Sequence, residues 1–147
     1  MQPLQTNKII RGGLIATTVM TIVMLMAPLM GMPKMLIGNM LAHFMHIPVI
    51  YGWVAHFMIG TFIAGGYLTY FAPRLRLNRV LKGTLYSLIP FIIAQIVIMP
   101  MMGAGFFSAN TGAPALMVMG SLIGHLVYGA VLGLTVDVQP VKNAVLA

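Results

Sequence analysis

Residues 83–136 read GTLYSLIPFIIAQIVIMPMMGAGFFSANTGAPALMVMGSLIGHLVYGAVLGLTV, and none of them is charged. A helix needs roughly 20 apolar residues to cross the hydrocarbon core of a bilayer. This run holds enough for two. The stretch from Gly103 to Pro114, GAGFFSANTGAP, is dense in turn formers and divides it. Two membrane helices near 81–102 and 114–136 follow.

Working toward the N-terminus, Gly12 to Pro33 is uncharged and supplies a first span, near 9–31. Met35 to Pro73 is also uncharged but is too long for one helix, and Pro48 interrupts it. Its second part gives a span near 49–72. The first part, 34–47, is too short to cross. Lys34, Asn39, His43 and His46 fall roughly on one helical face there, which predicts a helix lying in the outer interface. The fold expected is an all-α membrane protein: four transmembrane helices in one domain over 1–147, plus this short helix. Lys8 and Arg11 resemble the basic start of a signal peptide. The apolar run after them is longer than a signal core, and no clear small-x-small cleavage site follows, so the segment is read as a retained helix.

The composition agrees. Of 147 residues 60% are hydrophobic and 6% charged, with eight Lys or Arg and one acid, Asp137. Nine charges cannot cover a water-soluble domain. The net charge of +7 is not a nucleic-acid signature, because the basic residues flank apolar runs. Arg74, Arg76, Arg79 and Lys82 lie between spans two and three. The positive-inside rule puts that loop and both termini in the cytoplasm. The tail Val136–Ala147 reads as short and loose. No cysteine is present, so thiolate metal sites and cysteine nucleophiles are excluded, and a lone carboxylate excludes paired-acid hydrolysis.

The chain also repeats itself. Gly52, His56, Gly60 and Ala64 recur at helical spacing in span two. Ser121, His125, Gly129 and Gly133 do so in span four, each 69 residues later. RGGL at 11–14 resembles LKGTL at 81–85, and PLMG at 28–31 resembles PMMG at 100–103. A 2+2 parallel pseudo-repeat of a two-helix unit is expected, with an axis along the membrane normal.

The stretches GLIATTVMTIVMLMAPLMGMP (13–33), GWVAHFMIG (52–60), YFAPRL (70–75), MPMMGAG (99–105) and GSLIGHLVYGAVLGL (120–134) resemble a family of small bacterial four-helix integral membrane proteins. That family is uncharacterised. The resemblance covers about residues 11–135. It implies the fold and a bacterial inner membrane, and it implies no activity or functional residue.

Three functional expectations follow from the residues, all non-enzymatic. In the first, His56 and His125 bind haem b or another redox metal, as an accessory subunit of a larger membrane complex, with Gly60 and Gly129 making room for the macrocycle. In the second, the protein is a structural or assembly element, and the histidines are bonded to Thr17, Thr18, Thr21, Ser87 or Gln95 on neighbouring helices. In the third, His43 and His46 act with outer-side methionines, such as Met30, Met32, Met35, Met40 and Met45, as a copper site; the chain has fifteen methionines. An intramembrane serine protease is disfavoured because Ser121 and His125 share a helix and no nucleophile motif is present. The partners expected are the lipid bilayer and other membrane subunits or a second copy.

Overall fold

Prolines and glycines decide where the helices begin and end. The computed structural model describes residues 3–136. Asp137 and the C-terminal tail beyond Val136 lie outside the described residues. Helix α1, Pro3–Met26, runs into a 3-10 turn at Ala27–Met30, where Pro28 removes an N–H, and Gly31 stops it in the left-handed region. The short helix α2 covers Ile37–Met45. Pro48 caps α3, Val49–Gly66. Asn78 caps α4, Arg79–Ile93, by accepting the N–H of Leu81 at 2.8 Å. Helix α5 covers Pro114–Thr135, with the proline in its first turn.

Two of these helices widen before they end. A π turn at Tyr67–Phe71 extends α3, and the N–H of Ala72 reaches back to the Tyr67 carbonyl. A second, at Ala94–Ile98, extends α4, with the N–H of Met99 on the Ala94 carbonyl. Each is followed by a proline, Pro73 or Pro100. A proline offers no N–H and crowds the carbonyl four residues back, and opening the turn relieves both problems.

With those extensions four helices are long and apolar enough to cross a membrane: Gln5–Met30, Val49–Arg74, Arg79–Met101 and Pro114–Thr135. The first starts earlier than the apolar run alone indicates. Large apolar side chains stand on the outside, with Phe62 84% and Leu29 82% exposed, a surface that belongs in lipid and not in water. Threonine hydroxyls turn back onto their own helices: Thr18 donates to Leu14, Thr61 to Phe57 and Thr84 to Val80. Each of these hydroxyl protons is thereby paired within its own helix and not left bare toward the hydrocarbon.

Helix α1 packs along both α3 and α5, α4 packs along α5, and α2 packs back on α3. Glycines set these contacts. A Cβ on Gly83 would collide with the Gly129 carbonyl and meet the Gly133 N–H at 2.9 Å. A Cβ on Gly129 would strike the Gly83 carbonyl and Ser87, and one on Gly133 the Arg79 carbonyl. Helices α4 and α5 therefore touch backbone to backbone. On the other side, Gly13 lies on the Thr61 Cα and Gly60 on the Thr17 hydroxyl, joining α1 to α3. Gly52 lies on the Gly38 carbonyl, and the Trp53 ring covers Gly38, which fixes α2. The exposed side of α2 carries Asn39 and His43, with Lys34 before it and His46 at its end.

Methionines fill what remains between α1 and α5. Met20 and Met24 pack over Gly124, and the Met35 sulfur lies over Gly120. An unbranched thioether side chain suits an irregular gap above a glycine.

The α4–α5 seam yields a prediction. Gly83→Leu and Gly129→Leu should each destabilise the protein by about 1–3 kcal/mol or more, because a side chain must enter space held by backbone. Gly112→Ala, with nothing within 4 Å, should change stability by less than about 0.5 kcal/mol. Reversible unfolding in mixed detergent micelles measures all three.

Candidate functional site: the interior histidines

His56 is buried on α3 and faces α1. Its Nε2 lies 3.0 Å from the Thr21 hydroxyl. That hydroxyl has one proton and gives it to the Thr17 carbonyl at 2.7 Å. The imidazole must therefore donate from Nε2 to Thr21, which leaves its lone pair on Nδ1. The rings of Trp53 and Phe57 stand edge-on at 6.0 and 5.6 Å.

His125 has the opposite arrangement. Its Nδ1–H donates to the Ser121 carbonyl one turn back, at 2.8 Å, so its lone pair is on Nε2. The Phe91 ring of α4 packs against it edge-on at 5.7 Å. Four residues along α4, the π turn brings in Gln95, which is fully buried. Its Nε2 donates to the Ser121 hydroxyl at 3.0 Å, while its Oε1 has no partner. Ser121 meets His125 through its backbone carbonyl and not its hydroxyl, so no serine–histidine nucleophile exists here.

The two histidines sit at nearly the same depth. His56 meets α1 at Thr21, and Gly124, beside His125, meets α1 at Met20 and Met24. Helix α1 runs along both α3 and α5, so spans two and four are joined through it and not mainly through a shared face. They also connect through Tyr128, which donates from α5 to the Gly60 carbonyl of α3 at 2.6 Å. Tyr86 of α4 does the same to the Ile63 carbonyl at 2.8 Å.

The space expected beside each histidine is filled. Gly60 lies against Thr17, and Gly129 against Gly83 and Ser87. Both glycines accommodate a neighbouring helix. The outer pair differs from its expected geometry as well. His43 is in the last turn of α2, but the helix ends at Met45, and His46 caps it in the left-handed region at φ 54. The two side chains therefore do not share the ladder spacing of a continuous helix. Of the methionines expected toward the outer side, Met30 and Met101 are exposed, whereas Met35, Met99 and Met117 are buried. Among the described residues no three His or carboxylate side chains converge as a metal-binding group.

A four-span helical chain with this arrangement is one of a recognised kind. The chain belongs to a family of unknown function (DUF6789). The family model matches residues 5–144, nearly the whole sequence. No curated protein and no solved structure matches the chain. The match therefore carries the family assignment and no activity.

Sequence reasoning anticipated that a threonine of α1 would serve His56. It missed the Gln95–Ser121 pair and both tyrosine crosslinks. The signal was available: a tyrosine hydroxyl in mid-span must find an acceptor, and a helix carbonyl is the nearest.

The tautomers are directly testable. ¹⁵N NMR of histidine-labelled protein in bilayers should show His56 protonated at Nε2 and His125 protonated at Nδ1. Thr21→Val should remove the His56 bond and cost about 0.6 kcal/mol, the ordinary value for an interhelical bond in a membrane.

Proposed function

We propose that this chain is a non-enzymatic protein of the bacterial inner membrane that acts as a packing or assembly element, alone or as an accessory subunit of a larger membrane complex. The observation that carries the reading is the filling of the histidine surroundings. Thr17, Gly83 and Ser87 occupy the room that a macrocycle would need beside Gly60 and Gly129, and His56 spends its Nε2–H on Thr21. A bis-imidazole haem b between His56 and His125 would require that bond to break and two helix seams to open.

One feature favours the haem or redox-metal alternative. The Nδ1–H of His125 is held by a backbone carbonyl, the arrangement that orients a metal-ligating imidazole and leaves Nε2 bare. A haem would add electron-transfer chemistry at that nitrogen. Copper carried by His43, His46 and the outer methionines has weaker support, because both histidines are exposed and the Met35 sulfur packs on Gly120.

The 2+2 pseudo-repeat is supported by matching contacts. Gly13 and Thr17 of α1 meet Thr61 and Gly60 of α3. In the second half Gly83 and Ser87 of α4, 70 residues after Gly13 and Thr17, meet Gly129 of α5, 69 residues after Gly60. Thr21 against His56 likewise corresponds to Phe91 against His125. Both halves would then enter the membrane in one direction, with the termini and the loop carrying Arg74, Arg76 and Arg79 in the cytoplasm.

An optical spectrum of the protein purified from its native membrane tests the main reading. The expected result is no Soret band. A band lost in both His56→Ala and His125→Ala, and kept in His43→Ala and His46→Ala, would establish the haem alternative instead. The orientation has its own test. Ala109→Cys, in an exposed loop position, should react with an impermeant thiol reagent in intact cells, and Leu77→Cys should not. The native chain has no cysteine to confuse the result.

A further inference from the structure

A groove of about 1160 Å³ opens laterally on the lipid-facing side of α3, between α1 and α4. Its α3 lining runs from Ile50 to Tyr70, a rise of about 30 Å, roughly the thickness of the hydrocarbon core. Gly65 and Gly66 lower its floor toward the end where the basic loop begins. A Cβ on Gly65 would meet only a methyl of Ile9, at 3.7 Å.

Three of the hydroxyls that border the groove are already committed. Thr61 donates to Phe57, Thr69 to Gly65, and Tyr86 to Ile63. Most of its remaining wall is built from apolar side chains, so an occupant meets an almost wholly apolar surface along its length. Only a featureless hydrocarbon chain gains by lying there. Its end is different. Arg74 donates to the Tyr70 carbonyl, and its guanidinium lies over the Tyr70 ring at 5.9 Å from the centroid. Tyr70 itself lines the groove and is 69% exposed. A cation is thus held at headgroup depth where the apolar channel stops. The chain cannot supply enough anions for its cations, having eight Lys or Arg and one acidic residue.

We propose that this groove is a binding site for an anionic phospholipid, with one acyl tail along Gly65, Gly66, Phe62 and Tyr86 and the phosphate on Arg74. The guanidinium offers paired N–H donors that suit a phosphate. The ring of Tyr70 holds it in place by a cation–π contact. The bound lipid would close the open side of the bundle between α1 and α4. The site depends only on the membrane-spanning fold, so it stands or falls separately from the assembly reading and from the orientation.

Native mass spectrometry from detergent tests it, with phosphatidylglycerol and phosphatidylcholine of identical tails added in turn. The wild-type protein should retain one phosphatidylglycerol with at least about tenfold preference over phosphatidylcholine. Arg74→Gln should bring the two lipids to equal retention. Gly65→Leu should lose both, since the side chain occupies the floor, while its helical circular dichroism and monodisperse elution stay as in wild type. Equal retention of both lipids by the wild-type protein would overturn the proposal, as would unchanged preference in Arg74→Gln or unchanged retention in Gly65→Leu. Conversion of a wild-type dimer to a monomer by Gly65→Leu would show that a second copy, and not a lipid, fills the groove.

Discussion

The backbone contact between α4 and α5 is the constraint on which the rest of the bundle depends. In lipid no hydrophobic force drives one apolar helix against another, and stability comes from van der Waals approach and interhelical hydrogen bonds. Gly83, Gly129 and Gly133 allow the approach, because any Cβ there would enter a carbonyl or amide of the facing helix. With that seam fixed, Phe91 and Gln95 of α4 are placed opposite His125 and Ser121 of α5. Tyr128 is likewise held where it reaches α3. The same device at Gly13 and Gly60 joins α1 to α3, and Met20, Met24 and Met35 fill the remaining gap over Gly120 and Gly124.

The interior polar groups follow from the same solvent. Inside a bilayer each N–H and O–H must find a partner within the protein. Tyr86 and Tyr128 find helix carbonyls, Thr21 serves His56, and Gln95 serves Ser121. Three buried groups are exceptions, with no hydrogen-bond partner: the hydroxyls of Thr17 and Ser108 and the Oε1 of Gln95. Gln95 lies in a π turn that precedes Pro100, so the helix defect and the buried amide have one location. His56 and His125 are both hydrogen-bonded within the core. The exposed apolar surface suits lipid, and Arg74 lies over the Tyr70 ring at the end of the α3 groove.

The four spans were legible because the two solvents differ so sharply. A run such as Gly83–Val136 has no stable place in water, and GAGFFSANTGAP can only be its turn. The helical rows of Gly52, His56, Gly60 and Ala64 were legible as an inward face, and His56, Gly60 and Ala64 are indeed buried. The meaning of those rows was not legible. A glycine beside a histidine permits either a cofactor or another helix, and the sequence pattern is identical for both. Likewise His43 and His46 have the spacing of a shared helical face, yet the Ala42 and His43 carbonyls draw the His46 N–H into a left-handed cap.

Hydropathy, proline placement and charge by themselves determined the number of spans, their approximate limits and the short helix before Pro48, because each depends on the local chain and its solvent. Only the tertiary structure decided that α1 stands between α3 and α5, that Gly60 meets Thr17, and that Gly129 meets Gly83. The tautomer of His56 was decided at the same level, since its acceptor, Thr21, stands on another helix. These are relations between residues far apart in the chain. An apolar helix has many faces of similar hydropathy, and which one meets a neighbour is settled by shape at ångström range, a quantity that no local pattern encodes.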